Sequence, residues 1–284
     1  MKAAIGVLVG LVLTAVVAAL VGTRRWQVMT AAFVAKLDSA SVRSSPSSPL
    51  FKELDSLPTP VARYFLAALG STEVPVTRAR IRWRGQFLVR PDADGWARFE
   101  ANQVFTTNPP GFVWDARIRM APGILTYVRD AFVDGHGFMR GAVFGTVTVV
   151  AAPSTPEFDA AVLHRYLAEA VWLPTALLPS HGVRWGPLTD TSARASLSAG
   201  GTTVTLDFRF GPDSLVESVF TPSQFRDMNG ANVPTPWEGR FTRYEERGGL
   251  RIPVEAEVAW LLPGRRLTYW RGVPVEIHYT RAGL

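Results

Sequence analysis

From Ala3 to Gly22 the chain carries no charged residue, and beyond that run its apolar positions change period twice. Twenty residues at about 1.5 Å each span roughly 30 Å, the hydrocarbon thickness of a bilayer. A cleaved signal peptide has a shorter apolar region closed by a small-x-small site. Here Arg24 and Arg25 follow directly with no such site, so the pattern predicts an uncleaved transmembrane anchor over residues 1–23. Trp26, Met29, Phe33 and Leu37 continue at helical spacing, either as an interfacial collar or as a plain extension of the anchor. From Ser41 to Pro49 the composition turns to Ser and Pro, which predicts a linker and closes a juxtamembrane region over 24–49.

The main domain is expected over 50–284. A helical segment from Leu50 to Gly70 is interrupted at Pro58, restarts at the cap-and-proline pair Thr59-Pro60, and stops at Gly70. The period then falls to two. Ala79, Ile81 and Trp83 alternate with Arg78, Arg80, Arg82 and Arg84. After a turn at Asp92-Ala93-Asp94-Gly95, Ala97, Phe99, Ala101, Gln103 and Phe105 share one face; after Asn108-Pro109-Pro110-Gly111, so do Phe112, Trp114, Ala116, Ile118 and Met120. Three strands with one apolar and one charged face describe an antiparallel meander. Ile124–Val133 and Phe138–Val150 form a hairpin around Asp134-Gly135-His136-Gly137, and the second member is apolar enough to be covered on both sides. Further strands are expected at 193–199, 203–210, 215–220, 239–245, 252–262 and 267–279, with a proline-bearing loop over 221–237.

Between the two β blocks, Thr155 caps a helix with Pro156 at its first position and Glu157 in its first turn. Leu163, Leu167, Ala170, Val171 and Pro174 continue one apolar stripe, so a central helix is predicted over 155–179. Ten or eleven strands and one such helix leave no crossovers for a parallel sheet. The expected fold is α+β: a large, curved, half-barrel-like antiparallel sheet with the central helix on its concave face, preceded by the transmembrane helix.

The 284 residues include 27 Arg and three Lys against 24 acidic residues, for a net charge of +6, and there is no Cys. Disulfide and thiolate chemistry are thereby excluded. Positive charge suits anionic headgroups, with Arg78, Arg80, Arg82 and Arg84 as the candidate row unless Glu100 and Asp115 neutralise it. No nucleic-acid motif is present, so no nucleic-acid partner is expected.

Several motifs resemble an uncharacterised family of bacterial proteins, a domain of unknown function usually preceded by one membrane segment. They are Leu57-Pro58-x-Pro60-Val61-x-Arg63-Tyr64-Phe65, Tyr166-Leu167-Ala168-Glu169-x-x-Trp172-x-Pro174-x-Ala176-Leu177-Leu178-Pro179, Asp134-Gly135-x-Gly137, and Ile252-Pro253-x-Glu255 with Trp260. The expected shape is similar to the half-barrel of lipoprotein carriers of the bacterial envelope. The resemblance implies no catalytic residues.

His136, His164, His181 and His278 show no metal-ligand spacing, no GxSxG elbow exists, and the glycines near 135 miss the dinucleotide pattern. No metal or cofactor is expected. Glu169, four residues after Arg165, is either a surface pair or a partly buried carboxylate meeting an Arg or a ligand. The expected function is a membrane-tethered module binding a lipid or other apolar molecule between sheet and helix. Its predicted lining is Trp83, Phe99, Trp114, Ile118, Tyr166, Glu169, Trp172 and Arg63. An envelope scaffold with a filled core, or an enzyme using Glu169 with Tyr166 or Arg63, are the alternatives. The domain is expected outside the cytoplasm.

Overall fold

A computed structural model describes residues 2–41, 50–70, 74–90, 95–228 and 230–282. The expected linker, from residue 42 on, and Asp92, Ala93 and Asp94 of the first expected turn lie outside the described residues. Helix α1 (Lys2–Ser41) is continuous. A 3-10 segment (Leu50–Ser56) leads into α2 (Thr59–Leu69), and the cap position falls on Pro58 rather than Thr59, with no side-chain cap bond.

Thirteen strands form one antiparallel sheet in the order β6-β5-β4-β3-β2-β1-β13-β12-β11-β10-β9-β8-β7. The first half comprises β1 (Val76–Arg90), β2 (Gly95–Thr106), β3 (Gly111–Ala121), β4 (Ile124–Val133), β5 (His136–Val143) and β6 (Val147–Ala152). Then come α3 (Pro156–Glu169) and β7 (Arg184–Thr189), β8 (Ser192–Ala199), β9 (Thr202–Phe210), β10 (Val216–Met228), β11 (Ala231–Arg247), β12 (Leu250–Leu262) and β13 (Arg265–Arg281). The second half folds back so that β13 pairs with β1, joining the two halves into one sheet.

Curvature follows from what α3 touches. It contacts β4 and β5 on one side and β9, β10 and β11 on the other. In a flat sheet, β5 and β9 would stand about 43 Å apart at about 4.8 Å per strand, whereas a helix with its side chains is about 10–12 Å across. The sheet therefore wraps around the helix. Its turns even meet: a Cβ on Gly135, in the β4–β5 turn, would lie 2.4 Å from Gly200 Cα in the β8–β9 turn. Gly135 has φ +82, as a two-residue hairpin turn requires.

Several expectations change. The central helix is shorter than 155–179. Thr155 caps it as expected, accepting a bond from Phe158 N at 3.2 Å. After Glu169, however, the chain proceeds through 3-10 segments at Ala170–Trp172, Pro174–Leu177 and Pro179–His181. Pro174 and Pro179 each lack the N–H that a continuing helix would use. Residues 221–228 and 231–237 are not a loop but lie within β10 and β11. Pro222 sits in the register slip between Thr221 and Gln224. Pro234 and Pro236 precede Trp237, where pairing with β12 begins, so neither has to donate on that side. The apolar stretch 138–150 breaks at Phe144 and Gly145, both at positive φ, and β6 is an exposed edge strand.

It is β4 that is covered on both faces. Thr126, Val128, Asp130 and Phe132 pair with the inward positions of β3, while Tyr127, Arg129, Ala131 and Val133 lie under α1. Trp26 is accordingly no membrane collar. It is 2% exposed, donates to Asp115 Oδ1 at 2.6 Å, and carries the Arg129 guanidinium 4.3 Å above its ring. Leu37 joins Val113, Ala131 and Val133 in a small second core.

Candidate functional site

Alternation puts Trp83, Phe99 and Ile118 inside, and all three are at most 4% exposed. From above, Tyr166 stacks on Phe105 at 4.7 Å and donates its hydroxyl to Thr106 O at 2.8 Å. Trp172 meets Trp83 edge-on at 4.7 Å and donates Nε1–H to Pro253 O at 2.8 Å. These five predicted lining residues form the closed part of the core. Arg63 stands apart: it is exposed and donates to Asp190 O at 3.0 Å. The arginine near Glu169 is Arg165 of the helix itself.

Trp114 and Glu169 are placed differently. Gln103, Trp114, Asp130 and Met139 are register partners in one inward row across β2 to β5. Above that row, Gln103 donates to Glu169 Oε2 at 2.6 Å and accepts from Trp83 Nε1 at 2.8 Å. Of the two readings of Glu169, the surface pair with Arg165 does not form; Arg165 reaches the sheet, with Nε 2.7 Å from Asp130 Oδ2. Tyr269 accepts from Trp237 Nε1 at 3.0 Å across the same region.

The electrostatics follow from burial. Glu169 is pushed up to about 7, first by desolvation and then by the Asp130 charge, against the Gln103 bond and Arg165, which lower it. Desolvation likewise lifts the Tyr269 phenol to about 12. A carboxyl that titrates near neutrality in an aromatic surround can present a neutral acid, or accept a proton, beside an apolar ligand.

Around this polar group the inner face is not fully covered. Phe87, Trp114, Val128, Phe158, Trp260, Tyr269 and Trp270 pack on the core but keep partial exposure. Trp270 ties this set to the closed core, lying 5.7 Å from Trp83 and stacking on Phe99 at 5.8 Å. The sequence hinted at Trp114 and Glu169 through alternation and helical spacing. Gln103 and Arg165 were noted for their alternation and spacing but not as site residues, and Asp130, Tyr269 and Trp270 were missed, because only curvature brings β13 and β4 under one helix.

The outer face carries a groove of about 930 Å³ whose lining includes Arg84, Arg98, Glu100, Arg119, Arg240 and Arg271. Of the expected Arg row, Arg78 pairs with Asp38 at 2.8 Å and Arg82 with Glu276 at 2.9 Å. Asp115, expected to neutralise the row, is taken by Trp26 and Thr30. One grouping was not foreseen: Ser154, Asp159 and His136 meet at the start of α3. Both Ser154 and Asp159 contact the same ring nitrogen, His136 Nδ1, each at 3.3 Å, so the imidazole cannot relay a proton between them. Asp159 also accepts from Gly137 N at 2.6 Å, which ties α3 to β5. Among the described residues no cluster of His, Asp or Glu is arranged to hold a metal.

The profile of a family of unknown function matches residues 48–272. No curated protein matches the sequence. Among solved structures the chain is similar to a Vibrio parahaemolyticus domain named for outer membrane lipoprotein sorting, at 7% identity and TM-score 0.39, over 73% of this chain and 87% of that one. It is also similar to a LolA superfamily protein from Nitrosomonas europaea, at 6% identity and TM-score 0.39, over 82% and 94%. A β-barrel-like protein of another family of unknown function, from Brucella abortus, matches at 13% identity and TM-score 0.24, over 73% and 99%. These likenesses concern strand arrangement and transfer no residue roles.

Proposed function

The chain belongs to the family of unknown function DUF6544, and with no activity to inherit from it we propose, from geometry, a membrane-tethered module that binds an apolar molecule. The ligand is an acyl chain or a lipid, held on the inner face of the sheet with the domain outside the cytoplasm. One observation carries this reading: the aromatic side chains Trp114, Tyr269 and Trp270 belong to the apolar inner face, yet the protein's own core leaves them partly uncovered. Apolar surface of that kind, with a few convergent polar groups, is how small-molecule sites are built. The site lies beside Glu169 rather than between Trp83 and Trp172, where the core is closed. Helix α1 is long and apolar enough to cross a bilayer, and it supplies the tether.

The test is saturable binding of a fluorescent fatty acid to a chain starting at Thr23, which keeps the docked half of α1. Trp114→Ala should weaken binding about tenfold through lost aromatic contact, measured where the variant, which also loses packing against Phe99, is still fully folded. Absence of saturable binding to the parent chain would dismiss the reading.

A further inference from the structure

The end of the sheet that meets α1 carries exposed apolar side chains with no role so far. From Ile5 to Val21 the helix leaves its large apolar side chains exposed, and among the described residues Gly22 is the first buried one, set against the β5–β6 turn. A Cβ on Gly22 would lie 2.2 Å from Thr146 Cγ2, and one on Gly145 would lie 2.8 Å from Gly22 O. The apolar run thus ends where the domain begins, with no intervening spacer.

The helix then runs along β4. Thr23 meets the Tyr127 hydroxyl at 3.3 Å, Trp26 faces the Tyr127 ring at 5.8 Å, and fourteen residues past Thr23 Leu37 packs against Val133 at the other end of that strand. The opposite direction leads towards the apolar run. The β3–β4 turn lies that way, about 10 Å beyond Tyr127 at about 3.3 Å per strand residue. Such a reach brings its tip level with α1 residues about two turns before Trp26, inside the apolar run, at about 5.4 Å per turn. The tip exposes Met120 (44%) and Ile124 (43%), and the neighbouring start of β6 exposes Val147 (63%). Arg119, next to Met120 in the chain, is exposed, as are Arg24 and Arg25 just past the apolar run.

We propose that the β3–β4 and β5–β6 turns are a bilayer-contact surface: Met120, Ile124 and Val147 enter the headgroup–acyl boundary beside α1, with Arg119 at anionic headgroups. This rests on α1 being a membrane span, as the proposed function does. It also directs the turn end of β1, with the partly uncovered Phe87, towards the lipid. Continuity with the apolar run decides for a bilayer over a protein partner, since any partner at Gly145 would have to share the surface with the emerging helix.

The chain has no Cys, so a single reporter can be placed anywhere. Full-length Met120→Cys and Ile124→Cys, each carrying an environment-sensitive fluorophore, are reconstituted in nanodiscs of phosphatidylethanolamine and phosphatidylglycerol containing doxyl-labelled lipid. Val17→Cys in α1 and Leu188→Cys on β7 are the references. Strong quenching at 17, 120 and 124 with none at 188 is expected. Quenching at 17 alone overturns the contact surface and leaves the anchor standing. No quenching at 17 overturns the membrane span, and this surface with it.

Discussion

Replacing Arg129 by methionine is expected to destabilise the protein by about 3–5 kcal/mol, the cost of breaking a buried charged network from one side. Arg129 is fully buried between β4 and α1. Its Nη2 donates to Trp26 O at 2.7 Å and to Thr30 Oγ1 at 2.6 Å, and its Nε donates to Thr30 Oγ1 at 3.0 Å. Thr30 passes the interaction on, donating to Asp115 Oδ2 at 3.1 Å. Burial raises the Asp115 pKa, and the Trp26 bond and the Arg129 charge act against it. Methionine would keep most of the volume but remove that charge and leave the Trp26 carbonyl with one donor fewer. Chemical unfolding of the full chain in nanodiscs should show the loss, and adding Asp115→Asn to Arg129→Met should recover part of it. A loss below about 1 kcal/mol would mean that α1 is held by apolar contact alone.

Glu169→Gln is expected to stabilise the protein above pH 7 and to leave it nearly unchanged near pH 4.5. Below about 4.5 the carboxyl is protonated in both folded and unfolded chains. Between 4.5 and about 7 the folded chain keeps a proton that the unfolded chain releases, so stability falls as pH rises. Above 7 the penalty is complete, at up to about 3 kcal/mol for a shift of this size. Glutamine carries no charge and can still accept the Gln103 bond. Unfolding curves of the two proteins should therefore converge at low pH and separate by pH 8. A gap independent of pH would show that Glu169 is not held near neutrality by its surroundings. A carboxylate whose charge costs stability at this place is what the proposed binding role would account for.

Much of the fold was legible because period-two alternation is a direct consequence of a half-buried pleat. Ala97, Phe99, Ala101, Gln103 and Phe105 are all buried as the alternation requires. The Thr155 cap was legible for a local reason, one side-chain oxygen serving one N–H. What failed was non-local. Prolines at 222, 234 and 236 look like loop residues until the register slip and the late start of β12 pairing leave room for them. Trp26 looks like a membrane residue until Asp115 and Arg129 are brought beneath it. Of the site, Trp114 and Glu169 could be singled out from spacing. Arg165 meeting Asp130, and Tyr269 and Trp270 completing the surround, depend on a sheet that bends around fourteen residues of helix.

The most direct measurement is photocrosslinking in native membranes, with the full chain exposed to a fatty acid bearing a diazirine midway along its tail. The bound lipid should mark peptides containing Trp114 or Met139, and those containing Tyr269 and Trp270, with labelling reduced by excess unlabelled fatty acid. Labelling confined to residues 4–21 of α1, unaffected by competitor, would contradict an apolar ligand on the inner face of the sheet.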